Sequence, residues 1–118
     1  MHAKDKLGRY GETLAARILT DTGYRILHRN WRCRHGELDI VAADATTLVI
    51  CEVKTRSSER FGRPSEAVDR SKTARLRLLT AQYLLEHPGH WDDVRFDVVS
   101  VLRPASGPAQ VEHLRGAF

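Results

Sequence analysis

The sequence has few cysteines and no long apolar run. Its 118 residues include two cysteines, Cys33 and Cys51, so nothing indicates a disulfide framework and a reducing compartment is expected. No apolar stretch is long enough to cross a bilayer as a helix. The first residues also lack the continuous apolar segment of a signal peptide. We therefore expect a cytoplasmic protein that does not enter the membrane.

The sequence also lacks the short motifs of several enzyme classes. It contains no glycine-rich phosphate loop, no nucleophile elbow and no Cys-x-x-Cys pair. His28, Cys33 and His35 fit no closed structural zinc pattern, because a fourth ligand is missing and the arginines between them would repel a cation. These absences leave carboxylates and basic residues as the candidates for chemistry.

Length and composition are those of one ordinary domain. Hydrophobic residues make up 42% of the chain and charged residues 29%, which is typical of a globular protein. A chain of this size can bury a core without disulfides. We therefore expect residues 1–118 to fold as a single domain.

Basic residues outnumber acidic ones and are clustered. The net charge of +4 and the pI of about 9.4 favour an anionic partner such as DNA, although a solvated basic surface is the alternative. Three groups follow one another along the chain: Arg25, Arg29, Arg32 and Arg34; Lys54, Arg56, Arg60 and Arg63; Arg70, Lys72, Arg75 and Arg77. The residues that we predict to contact a phosphate backbone are Arg56, Arg60, Arg63, Lys72 and Arg75.

Apolar periodicity and turn residues predict an α/β fold in the order α-β-β-β-α-β-β, with a mixed sheet flanked by helices. The predicted segments are a helix over 5–22, a strand over 24–31, a hairpin over 37–54, and strands over 94–102 and 110–114. A second helical region is predicted from Pro64 or Ser65 to about 86, broken or capped near Ser71. Within the second helix, the spacing predicts that four residues face the sheet: Ala74, Leu78, Ala81 and Leu85.

Charged residues interrupt both strands of the predicted hairpin. Asp39 lies in the apolar run Leu38–Ala42, and Glu52 and Lys54 lie in the run that begins at Leu48. Charged side chains are rarely buried unless they are paired or bind a metal ion. Two interpretations are open at this point: a metal site with a catalytic lysine, or a solvated face with a cross-strand ion pair.

The geometry of a hairpin supports the metal interpretation. If Ala45 and Thr46 form the loop, paired positions sum to 91, so Asp39 lies opposite Glu52 with Cβ atoms about 4.5–5.5 Å apart. Two carboxylates at that separation can share Mg²⁺ or Mn²⁺. Asp39 and Glu52 are therefore the predicted ligands, and the carbonyl of Val53, between Glu52 and Lys54, is a candidate third ligand. The same register places Glu37 opposite Lys54 and on the face of Asp39. Glu37 could pair with Lys54 or Arg56, and either adjust the site or form only a salt bridge.

Glu12 is a further candidate on the first helix. It lies at the edge of the apolar arc that contains Leu14 and Leu19, so it could face the sheet instead of open water. The alternative is an ordinary acidic residue in the first half of a helix, where the helix dipole favours negative charge.

The charged strand residues resemble the PD-(D/E)xK signature of the restriction-endonuclease-like superfamily. Asp39 and the run Glu52-Val53-Lys54 match this signature, although the proline–aspartate pair is absent. Archaeal Holliday-junction resolvases, which are related, carry a helix glutamate before the motif, and Glu12 occupies the matching place. The resemblance implies a restriction-endonuclease-like mixed sheet and catalytic roles for Glu12, Asp39, Glu52 and Lys54.

Longer motifs resemble the YraN family of small bacterial endonuclease-like proteins. The segments GELDIVA, EVKTR and RFDVV occur in the family's order, and the similarity extends from Gly11 to Phe118. It implies a Mg²⁺- or Mn²⁺-dependent endonuclease that cleaves DNA, including branched or junction DNA. Junction cleavage would require two sites and hence a homodimer. A non-catalytic nucleic-acid-binding module and an adaptor protein are the alternatives.

Overall fold

Two helices and five strands form the parts of the chain that the computed structural model describes, which are residues 3–57 and 70–118. Their order is α-β-β-β-α-β-β, so the predicted fold class and element order are confirmed. The elements are α1 (Ala3–Asp21), β1 (Arg25–Cys33), β2 (Gly36–Asp44), β3 (Thr47–Arg56), α2 (Arg70–Glu86), β4 (Asp93–Leu102) and β5 (Gln110–Leu114).

The strands form one mixed sheet in which spatial order follows chain order, β1-β2-β3-β4-β5. Neighbouring strands are antiparallel except for β3 and β4, which are parallel. A parallel pair needs a crossover connection, and α2 lies in the chain between these two strands. The predicted mixed sheet with one helix before it and one helix within it is thus present.

The two helices cover opposite faces of the sheet because alternate strand residues point to opposite sides. On one face, Ala15 and Leu19 of α1 pack in a cluster with Ile40, Val49 and Val99. On the other face, α2 packs against a second set of buried residues: Leu76, Leu79 and Tyr83 from the helix, with Val41, Leu48 and Ile50 from the sheet. The apolar centres of β2 and β3 are therefore buried on both sides.

The prediction for the inner face of α2 is wrong. Ala74, Leu78, Ala81 and Leu85 are all exposed, and the buried residues of this helix are Leu76, Leu79, Thr80 and Tyr83. The helix has apolar residues on two sides, so spacing alone could not select the side that meets the sheet. Polar contacts fit the observed choice, since the Thr80 hydroxyl donates to the Leu76 carbonyl and the Tyr83 hydroxyl lies 2.8 Å from His28 Nδ1. The predicted start at Pro64 or Ser65 lies outside the described residues.

Both cysteines are free thiols, and Cys51 is a buried core residue. Burial raises the pKa of the Cys51 thiol, so it remains protonated. In the two segments that the structure describes, no helix has the length and apolar character needed to cross a membrane.

A buried carboxylate joins β4 to the end of the chain. Asp97 is fully buried, and its two oxygens accept hydrogen bonds from Arg95 at 2.9 Å and from the Gly116 amide at 2.9 Å, while His113 Nε2 lies 2.7 Å away. Burial alone would raise the pKa of Asp97, but the hydrogen bonds from His113, Arg95 and Gly116 lower it to about 2. Arg95 also donates a hydrogen bond to the Tyr24 hydroxyl. Through Asp97 and Arg95, the network therefore joins Tyr24, β4 and the segment that contains His113 and Gly116.

Candidate active site

From its loop to the pair Ile40–Cys51, the hairpin of β2 and β3 has the register that the sequence predicts. The predicted pairs Asp39–Glu52 and Glu37–Lys54 are not part of the observed ladder. Paired residues sum to 91 from Asp44–Thr47 to Ile40–Cys51. Beyond the last pair, a side chain links the two strands, because Asp39 Oδ2 accepts a hydrogen bond from the Val53 amide at 2.8 Å. Asp39 is thereby fixed beside the strand that carries Glu52 and Lys54. The role of the Val53 carbonyl as a metal ligand stays a prediction.

Three carboxylates meet at this end of the hairpin. Glu12 of α1 and Glu37 and Asp39 of β2 each offer an oxygen, and these oxygens all lie within 4.8 Å of one another. Burial raises the pKa of Asp39 to about 7, and the charges of Glu52, Glu12 and Glu37 contribute to this rise, which the Val53 hydrogen bond opposes only in part. Negative charge thus accumulates here without full compensation from the protein.

Glu12 reaches the sheet because α1 lies close to β3. Its pKa is raised by burial, while a hydrogen bond from Asn30 acts in the opposite direction. Asn30 lies in β1 with a positive φ of 54°, a conformation that asparagine tolerates better than most residues. Gly11 permits the close approach, since a Cβ there would overlap the hydroxyl of Thr55. The interpretation of Glu12 as a residue that faces the sheet is therefore supported by its position.

We expect Gly11→Ala to be less stable than Gly8→Ala by about 1–3 kcal/mol, because the added methyl would force α1 away from Thr55. Gly8 lies in the same helix with nothing within 4 Å of its Cβ position, so Gly8→Ala should gain about 0.5–1 kcal/mol from helix propensity alone. Urea denaturation of both variants measures the difference. Equal stabilities would show that the Gly11–Thr55 contact does not limit the packing of α1.

Two lysines share one oxygen of Glu52. Lys54 Nζ lies 3.3 Å and Lys72 Nζ lies 2.8 Å from Glu52 Oε1. Burial, followed by the effect of Lys72, lowers the pKa of Lys54. Burial also acts to lower the pKa of Lys72, but hydrogen bonding to Glu52 leaves that pKa above its usual value. Lys72, which the sequence predicts as a phosphate contact, therefore lies inside the candidate site beside Lys54.

Of the four other predicted contact residues, the structure describes Arg56 and Arg75. Arg56 ends β3, and in the described part of the chain its Nε is buried without a hydrogen-bond partner. Arg75 is exposed on α2. Arg60 and Arg63 lie outside the residues that the structure describes. The predicted phosphate track therefore stays a prediction for all five residues.

Glu37 pairs with a different residue from the ones expected. Its Oε2 lies 2.6 Å from Arg32 Nε, because Arg32 is the residue opposite Glu37 in the β1–β2 ladder. Lys54, which the hairpin arithmetic suggested as its partner, binds Glu52 instead. The alternation of strand residues predicted that Glu37 shares a face with Asp39, and the two acids do belong to the same carboxylate cluster.

The raised pKa of Asp39 predicts a pH-dependent effect of Asp39→Asn in metal-free buffer. An unfolded aspartate ionises near pH 4, whereas the folded pKa is about 7, so the folded state binds more protons between these values and loses stability as pH rises. Asp39→Asn removes this penalty. We expect the variant to match the wild type below pH 4 and to be more stable by on the order of 1–2 kcal/mol above pH 7.

Urea denaturation in the presence of a chelator, repeated across this pH range, checks the prediction. Glu112→Gln, which neutralises an exposed acid on β5, serves as the control and should show no such trend. A lower stability of Asp39→Asn at pH 8 would contradict the interpretation that Asp39 carries uncompensated charge.

Comparisons with known proteins agree with the motifs. The profile of "Uncharacterised protein family UPF0102" matches residues 11–101. A UPF0102 protein of Frankia casuarinae is 58% identical over 118 residues, which is 100% of both chains. A UPF0102 protein of Frankia alni is 60% identical over 100% of this chain and 98% of its own. One from Beutenbergia cavernae is 59% identical over 98% of each.

The matched segment begins at Gly11 and includes the carboxylates of α1 and β2 as well as Glu52, Lys54 and Lys72. The candidate site is therefore contained in the part of the chain that defines the family. The protein belongs to the UPF0102 family, which is the YraN family that its sequence motifs indicate.

Proposed function

We propose that this protein is a Mg²⁺- or Mn²⁺-dependent endonuclease that hydrolyses phosphodiester bonds in DNA. The observation that carries the proposal is the convergence of three carboxylates with oxygens within 4.8 Å of one another, next to Glu52 and its two lysines. The alternative from sequence was a solvated face with one cross-strand ion pair. That alternative does not account for Glu12 and Asp39, because burial raises the pKa values of both acids.

The residues present fit a hard divalent cation. Carboxylate oxygens are the protein ligands that Mg²⁺ and Mn²⁺ prefer. Asp39 would be the central ligand, with Glu52 and the Val53 carbonyl as predicted from sequence, and Glu12 and Glu37 complete the acidic surroundings. The bound ion would lower the pKa of a water molecule and offset the charge of the phosphate.

The lysines have a separate role in this proposal. Lys54 is half-buried, and its ammonium can donate hydrogen bonds to the attacking water or to a phosphate oxygen on which charge develops. Lys72 holds Glu52 in place through a 2.8 Å contact, and Glu52 in turn holds Lys54. The Val53 amide fixes Asp39 in the same way. The reacting groups are thus held by partners before substrate arrives, which favours electrostatic stabilisation of the transition state.

The substrate class rests on charge and on the family resemblance. The net charge of +4 suits a polyanion, and Arg56 at the end of β3 and Arg75 on α2 follow the site residues in the chain. Branched or junction DNA is the substrate that the resemblance to junction resolvases suggests. Free thiols at Cys33 and Cys51 are consistent with activity in the cytoplasm.

A cleavage panel tests this proposal. The purified protein is incubated with single-stranded, duplex, flap and four-way-junction DNA and with an RNA duplex, in Mg²⁺, Mn²⁺ or a chelator. We expect metal-dependent cleavage of at least one DNA substrate and none by Glu52→Gln, because a neutral amide is a poor ligand for a hard cation. Glu112→Gln, an exposed neutralisation outside the site, should retain activity.

Two outcomes would contradict the proposal. Binding of DNA that weakens with salt, without any cleavage, would favour the non-catalytic nucleic-acid-binding module. Cleavage that Glu52→Gln retains would mean that the active groups lie elsewhere.

A further inference from the structure

The outer side of α2 carries apolar residues that nothing in the described chain covers. Leu78 is 51% exposed and Leu85 is 76% exposed, and they are the large hydrophobic residues with high exposure among the described residues. Ala74 and Ala81 are exposed on the same side of the helix. These four residues, which we name the outer stripe, follow a spacing of four, three and four residues, as in helices that pair with another helix.

The outer stripe is complementary to itself when two helices run in opposite directions. Small and large residues alternate along it, in the order Ala74, Leu78, Ala81, Leu85. In an antiparallel pair with two-fold symmetry, positions that sum to 159 lie at the same level. Leu78 then meets Ala81 of the second copy, and Leu85 meets Ala74 of the second copy. A parallel pair would instead place leucine against leucine and alanine against alanine.

The charges beside the outer stripe also favour the antiparallel direction. The basic residues of α2 all lie in its first half, whereas its acidic residue, Glu86, lies at the end and accepts a hydrogen bond from Gln82 at 2.8 Å. Arg75 and Gln82 follow Ala74 and Ala81 and so lie along the same edge. Antiparallel pairing brings Arg75 of one copy to the Gln82–Glu86 end of the other, while parallel pairing would align the arginines of both copies.

We propose that a second copy of this chain covers the outer stripe, through antiparallel pairing of α2 with α2 about a two-fold axis. Such an interface is isologous, because the same surface serves both copies. A helix of 17 residues is about 25 Å long. One pair of such helices buries less than the roughly 1,600 Å² of a standard interface, so the dimer should be weak, with a Kd on the order of 1–100 µM.

The pairing has a consequence for the proposed nuclease, although it does not depend on that activity. Lys72, at the start of α2, lies level with position 87 of the second copy. A rise of 1.5 Å per residue therefore separates the two Lys72 residues by about 22 Å along the helix axes. A dimer of this form carries two candidate sites, one near each end of the helix pair, and cleavage of two strands of one DNA molecule requires two sites.

Sedimentation equilibrium from about 1 to 300 µM tests the pairing, and the wild type should shift from monomer to dimer. Leu78→Lys/Leu85→Lys should weaken dimerisation by at least about 30-fold, because it places charge in the centre of the contact. Ala105→Lys/Ser106→Lys, which adds the same charge on an exposed loop, should dimerise like the wild type. Thermal unfolding by circular dichroism should be similar for all three, since the substituted residues are exposed.

Cysteine cross-linking in a Cys33→Ser background tests the direction of pairing. Ala74→Cys and Leu85→Cys should each remain uncross-linked alone, because copies of one position lie at opposite ends of the pair. A mixture of the two variants should form a disulfide-linked heterodimer under mild oxidation. A monomeric wild type, an unchanged dimer in the lysine variant, or cross-linking of either single variant alone would overturn the proposal.

Discussion

Lys54→Ala is expected to reduce the single-turnover rate of DNA cleavage by about 100- to 1,000-fold, with little change in metal affinity. Lys54 is not a proposed metal ligand, and its ammonium lies 3.3 Å from Glu52 Oε1, where it can reach a phosphate or an attacking water. Loss of the side chain removes a donor that acts on the transition state. The fold should persist, because Lys72 remains 2.8 Å from the same oxygen and leaves Glu52 paired.

Arg77→Ala is a matched control for this experiment, since it removes one positive charge from an exposed position on α2. Its cleavage rate should stay close to that of the wild type when DNA is saturating. A Lys54→Ala protein that cleaves at the wild-type rate would mean that Lys54 belongs to the basic surface and that Lys72 or another group acts on the phosphate.

Asp97→Asn is expected to lower the free energy of unfolding by about 3–5 kcal/mol. Asp97 is fully buried and accepts hydrogen bonds from Arg95 and Gly116, so its neutralisation would leave the Arg95 guanidinium without its main counter-charge. Domains of this size are stable by only about 5–15 kcal/mol, so the change removes a large share of the total. Urea denaturation at neutral pH measures the effect.

The free energy of unfolding of the same variant, measured as pH falls below 4, provides a second test. The folded pKa of Asp97 is about 2 and lies below the unfolded value near 4, so its contribution is present above pH 4 and is lost as pH falls towards 2. Asp97→Asn should lack this part of the acid dependence. Asp92→Asn, an exposed neutralisation nearby, should change stability by less than about 0.5 kcal/mol. If the two variants were equally stable, the buried network would have no structural role.

The local parts of this structure could be predicted from sequence. Strand and helix order followed from apolar periodicity, and the hairpin register followed from a two-residue loop at Ala45 and Thr46. Asp39 and Lys54 were conspicuous because charge is costly inside apolar strands. These features depend on neighbours in the chain or on one hairpin, so sequence spacing contains the information.

The parts that depend on distant contacts could not be predicted in the same way. The position of Lys72 beside Glu52 requires the placement of α2 against β3, which no local pattern specifies. The exposed side of α2 was misassigned because Leu78 and Leu85 compete with Leu76 and Leu79 for the sheet. The network of Asp97, Arg95 and His113 joins residues that become neighbours only after β4 and β5 pair.

Titration of Mn²⁺ into the wild type and into Asp39→Asn by isothermal calorimetry at pH 8 tests the central claim most directly. Asp39 is deprotonated at that pH and lies among three further carboxylates, so the wild type should bind Mn²⁺ and Asp39→Asn should not. Glu112→Gln should bind as the wild type does. Equal binding by Asp39→Asn, or no binding by the wild type, would contradict a metal centre at this end of the hairpin.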